Sequence, residues 1–148
     1  MTGMRKRGPI SETTEIQVAF HDVDLMAVVW HGHYFKYLET ARWQLMDRLG
    51  YGFAAMRDSG YLWPIIETRM RHIRSAAYGD RLAVTASLVE WQCRLAINYL
   101  IADAKSRARV ARARTVQVAV LGTTGELQFA SPPEFVRRIE ARLAGNGA

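Results

Sequence analysis

Phe20-His21-Asp22-Val23-Asp24-Leu25-Met26-Ala27-Val28-Val29-Trp30-His31-Gly32-His33-Tyr34 is the stretch on which the reading of this chain turns. Upstream, Thr13 to Phe20 alternates Ile16, Val18 and Phe20 with Glu15, Gln17 and Ala19, the period of a half-buried strand. Downstream, Gly32 to Leu49 repeats Tyr34, Tyr37, Leu38, Ala41, Leu45 and Leu49 at three- and four-residue steps. That spacing predicts a helix of roughly 27 Å, stopped at Gly50. The stretch therefore sets carboxylates beside a helix N-terminus, whose unpaired N–H groups can hold developing negative charge. A carboxylate beside such donors is what acyl transfer requires.

The remainder reads as strands. Tyr61 to Arg74, Asp80 to Trp91, Cys93 to Ala104 and Arg109 to Leu121 carry alternating or β-branched patterns. Pro64 marks an edge or an irregularity in the first of these. A short helical turn over Phe53 to Arg57 and a terminal helix over Pro132 to Leu143 complete the pattern, with Ser131 as the expected cap of the latter. One apolar helix among several long strands must be covered by a sheet, so the expected class is α+β. Its simplest form is a curved antiparallel sheet of about five strands wrapped round one long central helix.

With 148 residues the chain has room for one domain. Residues 12–143 are its expected extent, between a flexible basic tail at 1–11 and a loose C-terminus at 144–148. No apolar run is long enough to cross a bilayer, and no apolar signal segment follows Met1 to Pro9, so a cytoplasmic location is expected. The single cysteine, Cys93, excludes an intrachain disulfide and reads as a small buried hydrophobe. The net charge of +6 fits an anionic partner, whether nucleic acid, a phosphate-bearing cofactor or an acidic carrier protein. No nucleic-acid-binding motif accompanies that charge. Asp22, Asp24, His31 and His33 are metal-ligand types, but their spacing matches no metal motif. No metal or cofactor is expected.

The order of elements, with Phe20-His21-Asp22-Val23-Asp24, Val28-Val29-Trp30-His31, Tyr34 and Tyr37-Leu38-Glu39-Thr40-Ala41-Arg42, resembles the hotdog-fold 4-hydroxybenzoyl-CoA thioesterase family and its acyl-CoA thioesterase relatives. Tyr78-Gly79-Asp80-Arg81-Leu82 and Ala111 to Val116 add to the resemblance, which runs from about Thr13 to Ile139. It implies hydrolysis of an acyl-CoA or acyl-carrier-protein thioester, with no metal or prosthetic group. It places the catalytic carboxylate at Asp24 and the polarising backbone N–H at His31, with Gly32 beside it. It also implies a homodimer or homotetramer whose active site forms between two subunits. Leu25-Met26-Ala27 departs from the family's small residues and glycine, and alanine avoids backbone shapes that glycine reaches.

The remaining candidates have separate readings. Asp24 acts as nucleophile or as general base, with a loop-capping role as the alternative. Asp22, two residues earlier, points the same way if the strand continues, and is read as a supporting hydrogen-bonding group. His31 offers its amide, its imidazole, or both. His21, His33 and His72 have no chemical partner in the sequence. Glu39 is a reserve carboxylate on the helix, or an ion-pair partner of Arg42. Arg112 and Arg114 share a strand face, and with Arg74 are candidates for the phosphates of coenzyme A. Trp30, Phe35, Trp43, Met46, Met56 and Trp63 divide between core and acyl pocket. Two other functions fit the fold: a hotdog acyl-thioester dehydratase and a non-catalytic acyl-thioester binding protein.

Overall fold

The computed structural model describes residues 3–146. A five-stranded antiparallel sheet runs in the order β1 (Ile10–Gln17), β4 (Arg81–Glu90), β5 (Leu95–Asp103), β6 (Arg109–Gln117) and β3 (Ile65–His72). Two short strands, β2 (Tyr61–Leu62) and β7 (Val120–Leu121), pair separately. The helices are α1 (Tyr34–Arg48), α2 (Phe53–Asp58) and α3 (Pro133–Asn146). This is the hotdog fold.

α1 forms where the apolar spacing predicts it. Tyr34, Tyr37, Leu38, Ala41, Leu45 and Met46 form its buried face, and the helix packs against β1 and β4. Gly50 ends it at φ 76°, a left-handed shape that glycine takes without Cβ strain. The Gly50 amide donates to the Asp47 carbonyl and the Tyr51 amide to that of Met46, a two-bond stop that satisfies carbonyls left open by the last turn. On the sheet, Leu82, Val84, Leu88, Leu95, Ile97 and Ile101 are fully buried. Burying each such side chain contributes about 1.5–3 kcal/mol.

Several expectations shift. The first strand begins at Ile10, and residues 3–7 lie on the outer face of the sheet instead of trailing as a loose tail. Asn98 holds them there, donating from Nδ2 to the carbonyls of Gly3 and Lys6, both at 2.9 Å. That strand also ends at Gln17, and Phe20–Asp22 turn as a 3-10 segment. Trp63-Pro64 interrupts the Tyr61–Arg74 run, because proline supplies no ladder N–H. Cys93 is exposed in the turn between β4 and β5, not buried in a strand. Ser131 does not cap α3: its hydroxyl is buried without a partner. Among the described residues, no helix is long and apolar enough to cross a membrane.

Candidate active site

The chain leaves β1 and crosses to α1 through residues 18–33, and two ties fix the crossing. Val18 donates to Asp80 and Gly79 donates back to Val18, anchoring the entry. The Trp30 amide then donates to the Asp22 carbonyl at 3.0 Å, anchoring the exit.

Asp22 is the hub of the second tie. Its carboxylate is buried, 3% exposed, and accepts from the Tyr37 hydroxyl at 2.7 Å, the Ala19 amide at 3.2 Å and the Lys36 ammonium. Burial acts to raise its pKa. The bonds from Lys36, Tyr37 and Ala19, with the Lys36 charge, outweigh burial and hold it at about 2. The same contact pushes the Tyr37 hydroxyl up, burial first and the Asp22 carboxylate second. Asp22 therefore clamps the crossing to the first turns of α1.

Beyond Asp22 the chain forms a tight hairpin. Val23 pairs with Val29, Asp24 donates to the Val28 carbonyl, and Ala27 donates to that of Asp24, both at 2.9 Å. This is a type I turn followed by a left-handed residue. The left-handed position falls on Ala27, at φ 62°. A glycine would sit there without strain, so Ala27 keeps the loop's shape at a conformational cost.

Asp24 sits at the first position of that turn and its side chain is exposed. One oxygen, Oδ1, accepts the Met26 amide at 2.8 Å. The two carboxylates thus do not share a face: β1 has ended before them, so strand alternation does not apply. Asp22 enters the interior and Asp24 faces out.

His31 and Gly32 open a 3-10 turn, His31–His33, that runs directly into α1. The first bond inward comes from the His33 amide to the Trp30 carbonyl, so the His31 and Gly32 amides are the unbonded leading donors. The Trp30 indole lies 5.0 Å from the His31 ring and 5.2 Å from the His33 ring. A Cβ on Gly32 would lie 2.2 Å from that indole, so a side chain there would displace Trp30.

Two clefts flank this helix start. One, of about 310 Å³, is lined by Val29, His31, Tyr34, His72, Ile73 and Arg74. The other, largely apolar and about 350 Å³, is lined by Phe35, Leu38, Glu39, Ile65, Thr68 and Thr115. Asp24 lines neither within a single protomer. Glu39 pairs with Arg42 at 2.6 Å. Arg74 reaches the His31 cleft, whereas Arg112 and Arg114 stand on the outer sheet face, beyond it. Of the large side chains, Phe35 lines the apolar cleft and Met46 and Trp63 are core, while Trp43 and Met56 pack against it. His21 is exposed. Among the described residues, no three His, Cys, Asp or Glu side chains gather as a metal-ligating group.

Comparison with known proteins places the chain in a family. The model of the thioesterase-like superfamily matches residues 18–139, from the entry of the crossing to α3. The chain belongs to that superfamily. A provisionally named esterase of Synechocystis sp. is 31% identical over 77 residues, covering 52% of this chain and 46% of that protein. A provisionally named acyl-CoA thioesterase of Bacillus subtilis is 29% identical over 70 residues, covering 47% and 51%. The chain thus spans about half the length of these curated relatives. The structure of a 1,4-dihydroxy-2-naphthoyl-CoA thioesterase from Synechocystis superposes with a TM-score of 0.78 at 22% identity, over 87% of this chain and 95% of that one.

Proposed function

We propose that this superfamily member hydrolyses an acyl-CoA thioester to the free acid and coenzyme A, with Asp24 as the reacting carboxylate. The observation that carries this reading is the placement of an exposed Asp24 on a hairpin whose far end delivers the open His31 and Gly32 amides. The thioester carbonyl oxygen accepts from those amides. The Asp24 carboxylate attacks the carbonyl carbon, and the charge that develops on oxygen is held by both donors and the positive end of α1. The C–S bond breaks, the thiolate leaves and takes up a proton, and water opens the resulting anhydride. In the second route Asp24 removes a proton from water, and the hydroxide makes the same attack. A single turnover in ¹⁸O-water tests the first route: label in Asp24 requires an anhydride opened at the aspartyl carbonyl, whereas label in the product acid alone is common to both routes.

The working unit in this reading is at least a homodimer, or a tetramer built from it. β3 is an edge strand of eight residues with exposed Ile65 and Ile66, an unpaired ladder suited to a second copy. Leu25 and Met26 at the hairpin tip and Phe35 by the apolar cleft are exposed as well. A partner would cover these surfaces and add part of the acyl pocket beside the Asp24 loop. Phe35, Leu38 and Ile65 then receive the acyl group, and Arg74, in the His31 cleft, meets the phosphates of coenzyme A. A carrier-protein thioester presents the same reacting carbonyl and is the alternative substrate.

The test is thiol release from aliphatic and aromatic acyl-CoAs and matching acyl-carrier proteins, wild type against Asp24→Asn. Selective release that collapses in the variant supports the reading. Release unaffected by the substitution removes Asp24 from the mechanism. No release by the folded protein across the panel refutes the hydrolase.

A further inference from the structure

Two histidines line the cleft at the start of α1: His31, whose amide is one of the open donors, and His72, from the end of β3. His72 stands opposite Ala111 in the β3–β6 register, and Ala111 is fully buried, so the imidazole lies on the sheet face that looks toward α1. Its ring is 5.5 Å from that of Tyr34, the first residue of the helix, and the residue is exposed.

The backbone around His72 is fixed. The Ile73 and Arg74 amides both donate to the Val110 carbonyl, at 2.9 and 3.1 Å, and hold the end of β3 on the sheet. The chain then returns to the crossing. There the Val29 amide donates to the Ala76 carbonyl at 2.8 Å, and Val28 pairs with Ala77. The Asp24 hairpin, the His31 and Gly32 amides and His72 are thus parts of one hydrogen-bonded frame within a single protomer.

The nucleophilic route of the proposed function creates a chemical need in this cleft. Attack by Asp24 gives a tetrahedral carbon with two leaving groups, the aspartyl carboxylate and the thiolate. A carboxylic acid is roughly four powers of ten stronger as an acid than an alkyl thiol, so the unassisted intermediate expels Asp24 and returns to thioester. A proton delivered to sulfur reverses that preference, because the departing group is then a neutral thiol. The hydroxide route has no such need, since hydroxide leaves far less readily than a thiolate.

The lining residues narrow the donor. In the proposed pose the carbonyl oxygen meets the His31 and Gly32 amides and the coenzyme A arm runs toward Arg74, so sulfur faces the wall that carries His72. A guanidinium does not give up its proton, which excludes Arg74. Burial, with the Asp80 charge adding and a bond to the Ala76 backbone opposing, raises the pKa of the Tyr34 hydroxyl and makes it a weaker acid. Imidazole is the side chain suited to proton transfer near neutral pH. The His31 ring meets the Trp30 indole at 5.0 Å, and the His31 amide already serves the oxygen.

We infer that His72 is the general acid that protonates the leaving thiol, an assignment that rests on the nucleophilic route of the proposed function. The protonated imidazole hands its proton to sulfur as the C–S bond breaks and the carbonyl re-forms. Asp24 is left in the anhydride and the imidazole is left neutral. Water then opens the anhydride to two carboxylates and two protons. One proton recharges the imidazole and the other passes to solvent.

The experiment is single-turnover thiol release, with enzyme in excess, from the benzoyl and octanoyl thioesters of coenzyme A and of thiophenol. An aryl thiolate leaves readily without a proton, because its parent thiol is the stronger acid. His72→Gln should release coenzyme A roughly 100-fold more slowly than wild type, yet release thiophenol within about threefold of it. His72→Phe keeps a ring against Tyr34 but carries no proton, and should lose activity in the same selective way. His21→Gln, an exposed histidine outside both clefts, should stay within about twofold of wild type on every ester. Equal loss on both leaving groups marks a structural role and overturns the assignment. So does unchanged coenzyme A release in His72→Gln, full activity in His72→Phe, or the selective pattern in His31→Gln instead. Any of these, with wild type active, overturns His72 alone. No release by wild type from any ester overturns the proposed function and the assignment with it.

Discussion

Asp22 and Asp24 are two residues apart and chemically alike, yet they occupy opposite environments. Asp22 is buried with three donors aimed at its carboxylate, and Asp24 is exposed with one. The difference comes from the backbone between them. A 3-10 turn drives Asp22 against α1, and the following hairpin lifts Asp24 outward. A carboxylate held by a lysine, a tyrosine and an amide is committed to holding structure. One with a single turn bond retains lone pairs for a substrate. Partners, not proximity in sequence, separate the buried anchor from the exposed carboxylate.

The sharpest way to break this comparison is to neutralise each carboxylate in turn. Asp24→Asn should cost about 1,000-fold or more in thioester turnover, since the variant lacks the proposed nucleophile or base. Its Tm should stay within about 1 °C of wild type, because asparagine can still accept the Met26 amide in the turn. A large fall in Tm would give Asp24 the structural role instead.

Asp22→Asn should show the reverse balance. It leaves Lys36 without its partner and should cost about 2–3 kcal/mol, lowering Tm by roughly 5–10 °C. The acid limb of stability should change with it. The folded pKa of about 2 lies below the ordinary 3.8, so the unfolded chain binds this proton first as pH falls. The contribution is full above pH 4, drains away between about pH 4 and pH 2, and amounts to about 2 kcal/mol. Wild type should lose that much between those pH values in urea melts, and the variant should not. An identical acid limb in both would remove Asp22 from the network.

The same contrast shows how far the sequence could be read. α1 was legible because six apolar residues repeat at helical spacing and Gly50 follows them. The long strands were legible from alternation, and the resemblance pointed to Asp24 and His31. The opposite fates of the two aspartates were not legible. No glycine or proline in Val18 to His21 announces that β1 has ended, and the Asp22 partners, Lys36 and Tyr37, lie 14 and 15 residues further along the chain. The strand start at Ile10 depends on pairing with Leu88, far along the chain. The place of His72 opposite Ala111 likewise required a register between strands some forty residues apart. Cys93 looked like part of a strand because apolar residues follow it closely, whereas the hairpin turns there.

Smaller substitutions refine the account of the crossing between the aspartates. Gly32→Ala places a methyl where the Trp30 indole lies, so the ring must move off the helix start and away from His31 and His33. Turnover should fall roughly tenfold through disturbed donor geometry. Tm should change little, because Trp30 is half exposed and can swing outward. If turnover is unchanged, the Trp30 contact does not tune the proposed oxyanion donors.

Ala27→Gly should have the smallest effect and the opposite sign. Ala27 holds φ 62° because the hairpin register demands a left-handed residue between Met26 and Val28. An L side chain there costs about 1–2 kcal/mol, while glycine loses more backbone entropy on folding, roughly 0.5–1 kcal/mol. The strain is the larger of the two, so the variant should gain up to about 1 kcal/mol and melt about 2–4 °C higher. Turnover tells why the strain persists. If it is unchanged, alanine serves only as a tolerated filler of the turn. If it falls while stability rises, the methyl group narrows the motion of the hairpin that carries Asp24, and rigidity at Ala27 is part of how the free carboxylate is held in place.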